Sequence, residues 1–187
     1  AACRTQSTND VFDWLANSGT TVSATTGPSD DITGGGNYMY IETSVPRTVG
    51  DSAILISPDF DLSTLTAAEI SFRSHMYGAS MGSLSVAVSS DGGTTFNTVW
   101  TKSGDQGDQW VEEIIPLTGS SATVKFTATV GVDAGGTISY WSDVAIDHFQ
   151  IRQASTCPQP SALTASTVGS STADISWTAG GTETSWN

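Results

Sequence analysis

Apolar and polar positions alternate along most of this chain in short runs separated by turn-forming clusters. NYMYIETS alternates at period two, and SAILIS is short and almost wholly apolar. AEISFRSHMY, GSLSVAVSS, FNTVWTKS, QWVEEIIPL, ATVKFTATVG and VAIDHFQIR follow, with turn signals between them. Period two is the mark of a strand with one buried face. No segment keeps a helical period over about a dozen residues, and there is no internal repeat. The pattern predicts an all-β fold, a jelly-roll-like antiparallel β-sandwich.

Composition shifts towards the C-terminus. QASTCPQPSALTAS is rich in Ser, Pro and Ala and reads as a linker. SALTASTVGSSTADISWTAGG reads as two strands around a Gly-Ser-Ser turn. The expected organisation is a sandwich over residues 1–153, a linker over 154–160 and a second unit over 161–187. Two strands alone are marginal in water. The tail is therefore expected to be held loosely, or completed by another chain or by further residues.

The 187 residues suffice for one sizeable domain plus a fragment of another. At 37% hydrophobic the chain can build a packed core, and its polarity lies in Ser, Thr and Gly more than in charge. That balance suits strands and turns. A net charge of −13, with six Lys plus Arg, repels phosphate backbones and anionic lipid. Nucleic acid and membrane surfaces are not expected partners, whereas acidic loops attract hard cations such as Ca²⁺. No apolar run reaches the roughly 18 residues of a membrane span. No signal peptide is visible, which suits a mature or excised form or a cytosolic protein. Cys3 and Cys157 bracket the main body. Either they close one disulfide across its ends or they are two unrelated thiols.

Several tempting motifs carry little chemistry. GASMG matches G-x-S-x-G, but a strand rather than a helix follows Ser80, so the nucleophile elbow lacks its context. SSDGGTTF matches an Asp-box, in which Asp91 and Thr95 would hydrogen-bond a hairpin turn. His75 and His148 lack a zinc spacing, and His75 reads as structural. Glu112 and Glu113 are adjacent in a strand, so they point to opposite faces and cannot pair as glycosidase acids. The triple glycine lacks the Lys and helix of a phosphate loop. Most of the aromatics read as core. Tyr140, Trp141 and Trp110 are the candidates for a ligand-stacking surface.

Together these pieces resemble the MAM domain, an adhesion module. NDVFDWLANSGTT is similar to its DFDW segment, and TGPSDDITGGGNYMYIETS to its TGPS-D-T-G-G-YMY-E signature. SHMYGASMGSLSV, GDQGDQW and VAIDHFQI match three later stretches in the right order, over about residues 9–153. The family's opening strand with its Phe-Glu pair is missing or lies upstream, its four-cysteine pattern is absent, and Asp147-His148 stands where two acids are usual. Trp177 resembles the core Trp of a fibronectin type III domain, so the tail reads as the start of one. Secreted bacterial proteins often join the two modules.

The resemblance bears on the loop over residues 26–44. It implies that the closing strand carrying Asp147 lies beside the loop. Asp30 and Asp31 offer carboxylates there, while Thr33, Gly34 and Gly36 offer carbonyls that could turn towards a structural Ca²⁺. Asp31 and Asp147 are the expected side-chain ligands. The alternative is a solvated turn in which Asp30 caps backbone N–H groups. The resemblance implies a non-catalytic extracellular adhesion or recognition module that binds a protein or cell-surface partner. The alternative is a carbohydrate-binding module joined to a polysaccharide-degrading enzyme. Fold alone does not choose between them.

Overall fold

Each strongly alternating run contains a strand, although NYMYIETS is strand only over Tyr38–Tyr40. The computed structural model describes residues 5–136, 139–155 and 161–178; the Cys3–Cys157 pairing lies outside the described residues. In chain order the strands are β1 (Thr5–Gln6), β2 (Leu15–Asn17), β3 (Tyr38–Tyr40), β4 (Ser52–Asp61) and β5 (Ala68–Met76). They continue as β6 (Ser83–Ser89), β7 (Asn97–Ser103), β8 (Trp110–Leu117), β9 (Ser121–Thr129) and β10 (Val144–Gln153). All pairings are antiparallel. One sheet has the order β1-β4-β9-β6-β7 and the other β2-β3-β10-β5-β8. Apart from the directly paired β2-β3 and β6-β7, consecutive strands of these ten fall in different sheets, which makes a jelly-roll-like sandwich.

The core lies between the sheets. Leu55, Leu84, Val86, Val124 and Phe126 from the first sheet meet Ile41, Ile70, Phe72, Met76, Val144 and Ile146 from the second. Phe72 packs edge-on against Phe126 at 5.2 Å and Trp100 at 5.5 Å. Trp14 is buried, and its indole N–H donates to the Ala53 carbonyl at 3.1 Å, so its one polar atom is satisfied.

Two irregularities set which face later residues take. β10 bulges between Asp147 and Gln150, with His148 at φ 50°. The extra residue reverses the parity of the strand, turning Phe149 and Ile151 to the core after Val144 and Ile146. β4 bulges at Ser57-Pro58, where proline cannot donate to the ladder. There the Ser57 hydroxyl accepts the Val124 N–H at 2.8 Å. The Asp-box turn is built as its motif implies: the Asp91 carboxylate accepts Thr95 N–H at 2.9 Å and the Thr95 hydroxyl at 2.7 Å.

Residues from Ala154 onward form a separate unit. Within it β11 (Ser161–Ser166) pairs antiparallel with β12 (Asp174–Thr178), and Leu163, Val168, Ile175 and Trp177 are exposed.

Phe72→Ala should lower unfolding free energy by about 3–5 kcal/mol, because it removes the ring on which the two sheets interlock. A urea titration of the variant against the parent measures it.

Candidate functional site

The outer face of the second sheet poses a problem that the core does not. β3 and β10 alternate, so Met39 and Ile41 point inward while Tyr38 and Tyr40 point outward, beside Ala145. Trp110 of β8 joins them in a second apolar cluster. Left bare, such a patch would face water. The segment over residues 18–37 covers it without regular structure, so its backbone polar groups need other partners.

Side chains of the sheet supply several. The Tyr38 hydroxyl donates to the Gly19 carbonyl at 2.6 Å. The Trp110 indole N–H donates to the Asp30 carbonyl at 3.1 Å. Asp147 Oδ2 accepts the Ile32 N–H at 3.2 Å, while its Oδ1 accepts its neighbour His148 N–H at 2.6 Å. The closing strand therefore lies beside the loop, and a direct hydrogen bond joins them.

Asp31 closes the loop on itself. Its Oδ1 accepts the Gly35 N–H at 2.7 Å and the Gly36 N–H at 2.8 Å. Its Oδ2 accepts the Thr33 N–H at 3.2 Å and the Thr33 hydroxyl. These donors, the Thr33 hydroxyl first and the Gly36 N–H next, hold its carboxyl far below the usual range. The three glycines follow from this geometry. Gly34 and Gly35 take φ of 75° and 134°, where a side chain is strained. A Cβ on Gly36 would stand 2.5 Å from Asp31 Oδ2. Asp30 plays a smaller part, accepting its neighbour's N–H at 2.9 Å and Gly19 N–H at 3.4 Å.

This arrangement does not fit calcium at Asp31. A carboxylate has about four lone-pair sites, and four internal donors already address this one. The loop turns the N–H groups of Thr33, Gly35 and Gly36 towards the acid. Among the described residues, no three His, Cys, Asp or Glu side chains gather into a group that could hold a metal ion. In this structure the loop is organised around the Asp31 carboxylate and its internal donors.

A different acidic pair lies on the same face, and sequence reasoning passed over it. Tyr40 pairs with Ala145 and Met39 with Ile146. The Ile41 N–H to Val144 carbonyl bond, 3.0 Å, continues that register and sets Glu42 opposite Asp143. Asp143 is fully buried. Its Oδ1 accepts Thr43 N–H at 3.0 Å and the Thr43 hydroxyl at 2.8 Å. Glu42 Oε1 accepts Ser44 N–H at 3.0 Å. The second oxygen of each, Asp143 Oδ2 and Glu42 Oε2, is buried without a hydrogen-bond partner. Burial first, and then the charge of Glu42, push the Asp143 carboxyl up to about 7, against the opposing pull of Thr43. Thr21 also lies close enough to oppose the rise, but its hydroxyl is directed to the Thr26 carbonyl at 2.8 Å. Burial likewise pushes Tyr40, beside both acids, up to about 12. The signal was parity: Glu42 falls two residues after Tyr40 and Asp143 two before Ala145.

The remaining candidates take distinct places. His75 is buried, its Nε2 3.1 Å from Asp108 Oδ1 and its ring edge-on to Trp110, and burial lowers its pKa. Trp110 packs against Tyr38 and His75, so loop support rather than a free stacking face describes it. Tyr140 and Trp141 lie in the loop before β10, not in a strand. Tyr140 is 40% exposed, and the two rings are 5.0 Å apart. Trp141 lines a cavity of about 250 Å³ with Thr25, Tyr77, Ala79 and Asp105. Ser80 is buried, and its Oγ accepts the Trp141 N–H at 3.0 Å. A Cβ on Gly78 would meet the Trp141 carbonyl at 2.3 Å, and one on Gly82 the Thr129 carbonyl at 1.8 Å. Close packing thus accounts for GASMG. Glu112 pairs with Arg73 at 3.3 Å on the outer face, while Glu113 reaches Ser74 and Lys102 on the other.

Gly36→Ala should destabilise the fold by about 1–3 kcal/mol, read by urea unfolding, since the added methyl meets the Asp31 carboxylate. A second expectation concerns pH. Asp143 in the folded state keeps a proton up to about 7, whereas an unfolded Asp releases it near 4. The folded state therefore binds the extra proton between these values. That contribution is present below about pH 4 and lost as pH rises through about 7. In EDTA-containing buffer the urea midpoint should fall between pH 5 and pH 8, and Asp143→Asn should flatten the fall.

Comparison with known proteins places these features in a family. The family model described as MAM domain, meprin/A5/mu, matches residues 1–158. MAM domain-containing glycosylphosphatidylinositol anchor protein 1 of Rattus norvegicus is 37% identical over 163 residues, 83% of this chain and 16% of that protein. Protein 2 of the same name from Homo sapiens is 36% identical over 166 residues, 80% of this chain and 16% of that protein. The chain thus spans about a sixth of the length of these curated relatives. Among solved structures, the K1 cleaved adhesin domain of Lys-gingipain from Porphyromonas gingivalis W83 superposes with a TM-score of 0.57 at 15% identity. That match covers 82% of this chain and 90% of the other, and it bears on the fold alone.

Proposed function

The chain belongs to the MAM domain family of extracellular and cell-surface modules, and on that footing we propose that it is a non-catalytic adhesion module of a larger protein, engaging a protein partner along an open sheet edge. Family membership carries the reading. The edge we assign is β7, which among the described strands pairs only with β6. Its outer side leaves a row of backbone donors and acceptors free to accept an extended strand. β7 contains no proline, and Val99, 46% exposed, lies at its bulge. The wider setting we propose is a secreted bacterial protein in which a fibronectin type III domain follows. The β11–β12 hairpin, with Leu163, Val168 and Ile175 exposed, supports that setting.

A glycan-binding role is the second reading. The cavity walled by Tyr77 and Trp141, with Asp105 to hydrogen-bond hydroxyls, is the observation that favours it. Pull-down of surface proteins and a glycan array, each run with Val99→Lys and Trp141→Ala, separate the two. We expect protein capture that weakens at least tenfold in Val99→Lys and is unchanged in Trp141→Ala. Glycan binding lost only in Trp141→Ala would replace the first reading with the second.

A further inference from the structure

We propose that Glu42 and Asp143 form a binding site for a hard divalent cation, held by the two carboxylate oxygens that the protein leaves without partners. This site is separate from the loop around Asp31 and from the edge of β7.

The argument begins with register. Glu42 and Asp143 are directly opposite on neighbouring antiparallel strands, and side chains so placed have Cβ atoms about 4.5–5.5 Å apart. Like charges facing each other there destabilise a sheet. Burial makes the conflict worse, because an uncompensated buried charge loses its hydration. The protein nevertheless orients both groups the same way. One oxygen of each is fixed by backbone N–H donors, from Thr43 and Ser44, and the other oxygen is left bare. Among the described residues no ion pair reaches either carboxylate. Once both acids are ionised, the partner that would relieve the conflict is a positive charge small enough to enter a covered site.

A hard cation supplies it. Two converging carboxylates with hydroxyl, carbonyl and water oxygens make a set of the kind Ca²⁺ accepts. The neighbourhood is rich in such oxygens: the Thr26 hydroxyl accepts Asp143 N–H at 3.0 Å, and the Ser23 and Ser44 hydroxyls are 3.0 Å apart. Glu42 also lines an open cavity of about 430 Å³ with Phe12, Asp13 and Ser44, so one of the two acids borders open space. Asp31 and Asp143 thus divide the two requirements. The first carboxylate is saturated by donors, and the second is starved of them.

Thermal unfolding of the whole chain in CaCl₂ and in EDTA tests the proposal, with parent, Glu42→Gln, Asp143→Asn, Asp31→Asn and Asp147→Asn side by side. The parent, Asp31→Asn and Asp147→Asn should each gain roughly 5–10 °C at a hundredfold excess of Ca²⁺ over Kd. Glu42→Gln and Asp143→Asn should gain nothing. Both amides keep the oxygen that accepts the backbone donors, Glu42 is partly exposed, and a cooperative melt in EDTA checks that each variant folds. Calorimetric titration of the parent should give one Ca²⁺ per chain. A gain that survives in Glu42→Gln and Asp143→Asn, a gain lost only in Asp147→Asn, or no gain in the parent would overturn the assignment. None of these results bears on partner binding at β7.

Discussion

One constraint shapes this domain more than any other: an apolar patch on the wrong side of a sheet must be covered by chain that has no ladder of its own. Tyr38, Tyr40, Ala145 and Trp110 cannot turn inward, because Met39, Ile41, Val144 and Ile146 already do. The cover over residues 18–37 must therefore satisfy its backbone piecemeal. It does so by letting a single carboxylate collect four donors, and by borrowing a hydroxyl, an indole N–H and a second carboxylate from the sheet beneath. The loop is held by polar bonds at its margins and by apolar contact at its centre.

The acidic residues show how environment assigns different work to one functional group. Asp31 and Asp91 sit in tight turns where N–H and O–H groups converge, so their carboxyls ionise well below the usual range. Asp143 is addressed by Thr43 alone on one oxygen and faces Glu42, so its carboxyl moves the other way. Glu112 and Glu113, adjacent in β8, serve opposite faces: one joins the Arg73–Arg152 network, and the other bonds Lys102 of β7. The Lys102 contact ties the edge strands of the two sheets together. Net charge alone foretells none of these roles; local donor count does.

How much of this was legible depended on the length scale of the signal. The longer strands were readable because each carries several turns of the period-two pattern. β1 and β2, of two and three residues, carry too little pattern to be seen. The β10 bulge was invisible because Asp147, His148 and Phe149 fit an uninterrupted strand equally well in sequence. The proximity of loop and closing strand was legible through family likeness. The polarity of the loop was not: a run of glycines can turn carbonyls or N–H groups inward, and sequence does not say which. The structure turns the N–H groups of Thr33, Gly35 and Gly36 in, which makes Asp31 a cap.

That polarity links the loop to the pair beneath it. Thr26 takes the Asp143 N–H through its hydroxyl, and Thr21 directs its own hydroxyl to the Thr26 carbonyl. The segment covering the aromatics is therefore also the roof over Asp143. Three N–H groups of the loop go to Asp31, while its contact with Asp143 is the bond from the Asp143 N–H to the Thr26 hydroxyl at 3.0 Å. The segment gives four donors to the Asp31 carboxylate, while Asp143 Oδ2 stays without a hydrogen-bond partner. The saturated acid and the starved one are in this sense two results of a single allocation, made by the same stretch of chain.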